Sequence, residues 1–499
     1  MAAYDRRVSD PTASASARGR SPAAPRPPSR GRRAAVASVA ALVVGILAAV
    51  AVTEPDDDAG AATAGGATPG AAPASGSPTG SGTTAASGPA AAAPEAAGSP
   101  APSGSGTTTA SVAESAGRDL VAGLERAWAA RDERAFLAAA APDRAGRRAA
   151  SDTWDALAAL DVETLDLRWL DAAVPPRSAP TGTAVAVVEA RWQQAGWDGA
   201  ATAVVEVVLG VDDARGPERP APAGRLVDVT PAAGEPAPLW AMAPLQVRTT
   251  ATDARVVALD GLAPGDRLTA AVARADREVG ALLPGRGAPG EQLPGRGVPL
   301  VVVAPASASQ FADLVGDRRD YGAIAAVTTT VDGSVRVDTA VQVLLNPSVF
   351  DRLRPAAAQV VLAHEATHVA TGASTATMPL WVAEGFADFA ALRSGDVPVR
   401  VAAGRAIAAV RRDGPPAVLP RSADFGTEAH ALGRTYELAW LAFHALDREV
   451  GTRATVRFHD AVAAGVPTDR ALHATTGLGV ARLTGLWRDD LRRLAGDVG

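Results

Sequence analysis

Cysteine is missing from this 499-residue chain. Its absence excludes disulfides, thiolate metal sites, a Cys nucleophile and a lipid-modified Cys as membrane anchor. Lysine is missing too, which reads as base composition rather than chemistry. There is no basic excess: 48 Lys+Arg stand against 54 Asp+Glu, a formal net charge of −6, so nothing favours nucleic acid as a partner. Positive charge is densest at the N-terminus, where residues 1–33 hold eight of the 48. The length leaves room for two or three domains.

Residues 1–33 form an Arg/Pro-rich tail with eight arginines, Arg32 and Arg33 the last of them. Ala34 to Val52 follow, nineteen small or apolar residues without a charge, and then Glu54, Asp56, Asp57 and Asp58. A bilayer core needs about 20 apolar residues in a helix, and the run just reaches that. Arginine before the span and acid after it fit the positive-inside pattern. The expectation is a single-pass anchor at the cell membrane, with a cytoplasmic N-terminus and everything after it outside. A cleaved signal peptide ending near Ala49-Val50-Ala51, a twin-Arg export signal at Arg32-Arg33 and a buried core helix are competing readings. Residues 53–111 are mostly Ala, Gly, Ser, Thr and Pro. They hold too little apolar surface to fold and read as a disordered linker.

Residues 112–260 carry a first α+β region. Leu120, Leu124 and Trp128 make a helical stripe, continued by Phe136 and Leu137, and Trp154, Leu157 and Leu160 mark a second helix. Strand patterns follow at Leu165–Leu170, Thr183–Trp192, Ala201–Leu209 and Trp240–Thr249, the middle two joined by a hairpin loop. Helices followed by an antiparallel sheet resemble the NTF2-like α+β cone, in element order alone. Trp192, Trp197 and Trp240 read as core rather than as a pocket lining.

From residue 265 to 499 the pattern changes. Asp266–Leu283 and Ser309–Val315 read as helices, and Pro299–Val303, Ala323–Thr328 and Val341–Leu345 as strands. Leu-Pro-Gly-Arg-Gly occurs twice, at 283–287 and 293–297, as a loop duplication. Pro355 opens a helix where its missing N–H costs nothing, and Gly372 sits at the C-cap position. Three further helices are expected at Thr435–Val450, Thr452–Ala464 and Val480–Ala495.

The helix opened by Pro355 contains His364-Glu365-Ala366-Thr367-His368. Two His at i and i+4 share one helical face, so their imidazoles can converge on one cation. A catalytic zinc takes three protein ligands and keeps one position for water, and Glu365 is placed to reach that water as general base. One zinc per chain is expected. The third ligand is sought in Trp381-Val382-Ala383-Glu384-Gly385-Phe386-Ala387-Asp388, a second apolar helix reached past Gly372 and Pro379. Glu384 is the candidate. Asp388, one turn later on the same face, can accept a proton from a liganding His.

This constellation resembles the gluzincin metallopeptidases, and the Trp-x-x-Glu-Gly-x-Ala pattern is similar to their peptidase MA-like branch, which includes the M1 aminopeptidase-like proteins. The metzincins fit poorly, since Ser374 stands where their third His belongs. The resemblance is sharp over Ala356–Leu392, loose over 265–499, and does not reach residues 1–260. It implies an α+β, thermolysin-like catalytic domain: a small mixed sheet, two zinc helices, a helical C-terminal half, and a cleft beside an edge strand, for which Ala323–Thr328 is the candidate. It implies hydrolysis of a peptide or protein substrate. It also implies an oxyanion-stabilising Tyr or His, with Tyr436 the first candidate and His430 the rival. The Gly-Ala-Met-Glu-Asn segment of the aminopeptidases is absent, with Gly322-Ala323-Ile324 at most a remnant, so exo- and endopeptidase action are both open. Two other functional classes stay in play: a cell-surface binding protein with the zinc domain as scaffold, and a metallohydrolase acting on something other than a peptide.

Overall fold

The structure is a computed structural model. It describes residues 106–499 apart from 174–181, 212–222, 243, 260, 284–297, 317–320, 323, 395–396, 426–428 and 497–499. The expected membrane span, the linker up to residue 105 and nearly all of the Leu-Pro-Gly-Arg-Gly duplication lie outside the described residues. Among those described, no helix is long and apolar enough to cross a membrane.

The class is α+β. Helices α1 (Gly106–Ala129), α2 (Glu133–Ala138) and α3 (Arg144–Ala159) come first. Asp132 and Asp143 cap the second and third, each accepting from the backbone N–H three residues on, which satisfies a donor the helix leaves open. Strands β1 (Val162–Ala173), β2 (Thr183–Gln194), β3 (Ala201–Val211) and β4 (Gly224–Pro231) then form an antiparallel sheet in sequential order. Along β3, buried and half-buried residues alternate, as expected of a sheet with one face on a core. Trp192 is buried edge-on to Trp240, ring centroids 5.8 Å apart, and both belong to that core. Trp197 is half-buried and packs against both hydrophobic clusters of the chain.

The run Trp240–Thr249 is not one strand. Leu239–Ala241 make a 3₁₀ turn, and β5 starts only at Gln246 and ends at Thr249. Pro244 has no N–H to give a ladder and constrains the residue before it, so pairing begins after it. With β6 (Arg255–Ala258), β5 does not extend the first sheet. Both pair into a second one, built with β7 (Val301–Ala304), β8 (Ala326–Thr330) and β9 (Val341–Leu345) in the order β5-β6-β7-β9-β8. The central pairings β6–β7 and β7–β9 are parallel and the outer two antiparallel, so the sheet is mixed and β8 lies at an edge. Helix α4 (Asp266–Leu282) bridges β6 and β7, and α5 (Ala308–Val315) follows β7.

Alternation along this second sheet divides its side chains between two cores. Val256, Val302 and Val343 face the helices that follow, whereas Val257, Val303 and Leu344 join the core of α1–α3 and the first sheet. The β8–β9 hairpin also reaches the first sheet's β2–β3 turn. Gly199 N–H donates to Asp338 O at 2.9 Å, and Thr202 N–H to Asp332 Oδ2 at 3.1 Å.

After the short α6 (Pro347–Phe350), helix α7 runs Pro355–Thr371, with Pro355 in its first turn and Gly372 left-handed (φ 65°) at its end, as the sequence predicts. It is buried on nearly every side. An apolar surface around the full circumference is what such a position requires. Its threonines avoid an unmet hydroxyl by bonding back one turn, Thr367 to Ala363 O at 2.7 Å and Thr371 to Thr367 O at 2.8 Å. Pro379 sets the start of α8 (Leu380–Ala391). The remaining helices are α9 (Val399–Ala402), α10 (Gly404–Asp413), α11 (Ala429–Val450), α12 (Thr452–Ala463), α13 (Thr468–Thr476) and α14 (Val480–Gly496). Phe443 of α11 is fully buried among Trp381, Phe386, Phe389 and Phe458. Burying one such ring is worth ~1.5–3 kcal/mol, so this aromatic knot clamps α8 in place.

Candidate metal centre

Helices α7 and α8 pack side by side, which brings His364, Glu365, His368, Glu384 and Asp388 into one buried cluster; none is more than 1% exposed. The approach of α8 to α11 is close at Gly385, where a Cβ would stand 2.6 Å from Ala439 O. A side chain there would push the two helices apart and displace the neighbouring Glu384.

Three donor atoms face one another. His364 Nε2 lies 3.0 Å from His368 Nε2 and 3.3 Å from Glu384 Oε2, and His368 Nε2 lies 3.4 Å from Glu384 Oε2. Tetrahedral zinc with bonds of ~2.0–2.1 Å sets neighbouring donors about 3.3 Å apart, so the three atoms already form one face of such a tetrahedron. Glu384 Oε2 is fully buried and has no hydrogen-bond partner among the described residues, a costly state unless something positive sits before it. Among the described residues, these three form the one group of His, Asp or Glu side chains with ligand-like spacing.

Asp388 Oδ1 lies 2.8 Å from His364 Nδ1. A proton held there leaves the Nε2 lone pair free to face the other two donors. Burial opposes charge on His364, but Asp388 and Glu384 outweigh it and raise its pKa to about 10. Burial likewise opposes charge on Glu384, yet the two imidazoles beside it pull its pKa down to about 2. The cluster therefore favours positive charge between the carboxylates, which a proton or a metal cation can supply. His368 Nδ1 has no partner among the described residues, so the two imidazoles are not supported alike.

Glu365 points elsewhere. Its Oε2 accepts a 2.5 Å hydrogen bond from the Thr328 hydroxyl of β8, while Oε1 is buried with no partner among the described residues. Burial raises its pKa, against the lowering effect of His364, His368 and Thr328. A carboxylate of raised basicity beside the donor face, outside the ligand set, can take a proton.

Tyr436 lies on α11, buried, its ring edge-on to Phe425 with centroids 5.2 Å apart. The side chain of His430 is outside the described residues. His444 Nδ1 stands 3.6 Å from Asp490 Oδ2, His459 stacks on Phe386 at 3.9 Å, and His473 is exposed.

Two residues near the cluster carry no role of their own in the sequence pattern, although Thr328 ends the edge strand expected at Ala323–Thr328. Thr328 sits in a Thr-rich run that looks like simple strand propensity. Glu437 reads as a surface position of an amphipathic helix, yet it is fully buried and accepts from Ala406 N–H at 2.7 Å, in the first turn of α10. Burial raises its pKa to about 8, against the N–H groups of Ala406 and Arg405 and the Arg405 charge, with nearby Asp388 adding to the rise. A carboxyl three residues ahead of a helix's apolar stripe would have signalled capping; a cap supplied by another helix leaves no sequence mark.

No protein-family model matches this sequence, and comparison with curated proteins finds no match either.

Proposed function

We propose that the chain is a zinc-dependent peptidase of the gluzincin type, with an NTF2-like region ahead of its catalytic domain. It is held at the cell membrane by Ala34 to Val52 and faces outward. The observation that carries the reading is the donor face of His364, His368 and Glu384 at tetrahedral spacing, with a non-ligating carboxylate, Glu365, beside it. Asp388 supports His364 from behind.

Zinc held by those three residues would supply Lewis acidity for the scissile carbonyl and make an adjacent water more acidic. Glu365 takes the proton of the attacking water on its free Oε1 and passes it to the leaving amine. Tyr436 is the proposed donor to the oxyanion.

A second reading rests on burial. The ligands and Glu365 are closed off from solvent, which suits a structural metal in a cell-surface binding protein as well as a catalytic one in a closed state. The full-length protein in detergent, incubated with a diverse peptide pool, separates the two. The peptidase reading expects cleavage that stops with a chelator and returns with zinc. Bound zinc with no cleavage of any peptide would favour the binding protein.

A further inference from the structure

We infer that Thr328 is a positioning residue for the general base: its hydroxyl holds one oxygen of Glu365 so that the other is presented for proton transfer. The inference rests on the peptidase reading above and names a part of its machinery that the HExxH pattern does not contain.

A free glutamate side chain rotates about three bonds, and its two oxygens are equivalent. A base that must meet a proton at one point gains if one oxygen is tied down. Thr328 does this. Its Oγ1 lies 2.5 Å from Glu365 Oε2 and 3.4 Å from the Glu365 carbonyl oxygen, so a single hydroxyl spans the base's side chain and its own backbone. Glu365 Oε1 is left buried and without a partner among the described residues. Thr328 is itself only 1% exposed.

The strand that carries Thr328 fixes it from several sides. It pairs with Val343 of β9. The next residue back, Val327, points the other way into the core of the first sheet. Thr330, on the same face two residues on, bonds to Ser334 O at 2.5 Å and closes the hairpin. That hairpin is tied to the β2–β3 turn through Gly199 and to the start of β3 through Thr202. The hydroxyl that orients the base is thus held by both halves of the molecule. A β-branched hydroxyl residue suits the place: χ1 is stiff in a strand and the polar atom has one direction to point.

Thr328→Val keeps shape and removes the hydroxyl; Thr328→Ser keeps the hydroxyl. In the full-length protein, Thr328→Val should retain zinc, leave KM nearly unchanged and lower kcat by about 10–100-fold, the usual scale for a residue that orients a catalytic group. Thr328→Ser should recover most of that loss. In a Glu365→Gln background, Thr328→Val should cost no further activity. Unfolding of the zinc-free protein should show Thr328→Val and Glu365→Ala, which removes the acceptor that Gln would keep, to be non-additive, whether or not any peptide is cleaved. Additive unfolding midpoints, or an unchanged kcat in Thr328→Val, would overturn the inference. A parent protein that cleaves nothing would instead sink the peptidase reading, with the unfolding cycle still deciding whether Thr328 holds Glu365.

Discussion

At the scale of single residues, the two carboxylates of α8 are sorted by which atom each faces. Glu384 Oε2 faces both imidazole Nε2 atoms, whereas Asp388 meets His364 at Nδ1, on the far side of the ring. Glu384→Ala should therefore abolish high-affinity zinc. Asp388→Ala should weaken zinc affinity or activity by about 10–100-fold. A zinc titration of the two variants checks this, and the reverse order would exchange their roles. Glu437 allows a second prediction. Its pKa is raised from 4.5 to about 8 in the folded protein. The folded state therefore holds its proton more tightly than the unfolded chain. Its contribution is fully present below pH 4.5 and is lost as pH rises to about 8, above which the slope vanishes. Glu437→Gln can still accept from the α10 N–H groups but does not ionise. Denaturant unfolding should show that it flattens the stability profile between those two pH values and gains stability at pH 9, on the order of a few kcal/mol. An unchanged slope would remove Glu437 as its source.

At the scale of elements, close helix contact matters more than propensity. Gly385 is placed where a Cβ would meet the Ala439 carbonyl, its oxygen at 2.6 Å and its carbon at 2.8 Å, and backbone does not yield as a side-chain tip can. Gly385→Ala should cost about 1–3 kcal/mol of stability in denaturant melts and weaken zinc affinity, because the shift is passed directly to Glu384. Wild-type stability in this variant would mean the helices separate freely. The elements that sequence patterning identifies well are those with local punctuation. Helix α7 is bounded by Pro355 and Gly372, and β9, Val341–Leu345, is apolar apart from Gln342. Those it misreads depend on partners far away in the chain. The four residues of β6 gain strand identity only from β5 and β7. Trp240–Thr249 is a different case: it has the composition of a strand, and the breaker, Pro244, is local. The same distinction applies to the cluster. His364, Glu365 and His368 are legible because helical spacing puts them together, and Asp388 because it lies one turn from Glu384. Thr328 and Glu437 are not, since each meets its partner across two elements whose packing no local pattern records.

At the scale of the molecule, the second sheet is shared. One of its faces supports the helices of the candidate metal site; the other completes the core beneath α1–α3. Strands β5 and β6, which precede the boundary expected from the sequence at residue 260, are part of that sheet, so the region before residue 265 contributes directly to the framework of the cluster. The central claim is that this framework serves hydrolysis, with Glu365 as base rather than ligand. It is tested most directly by Glu365→Gln in the full-length protein, with zinc content and peptide cleavage measured on the same sample. Gln keeps the size and can still accept from Thr328, but it cannot take a proton. The account predicts full zinc content, an unchanged fold and a loss of cleavage at or beyond the upper end of the ~10²–10⁴-fold range usual for a general base. Cleavage by Glu365→Gln at the parent rate would contradict it.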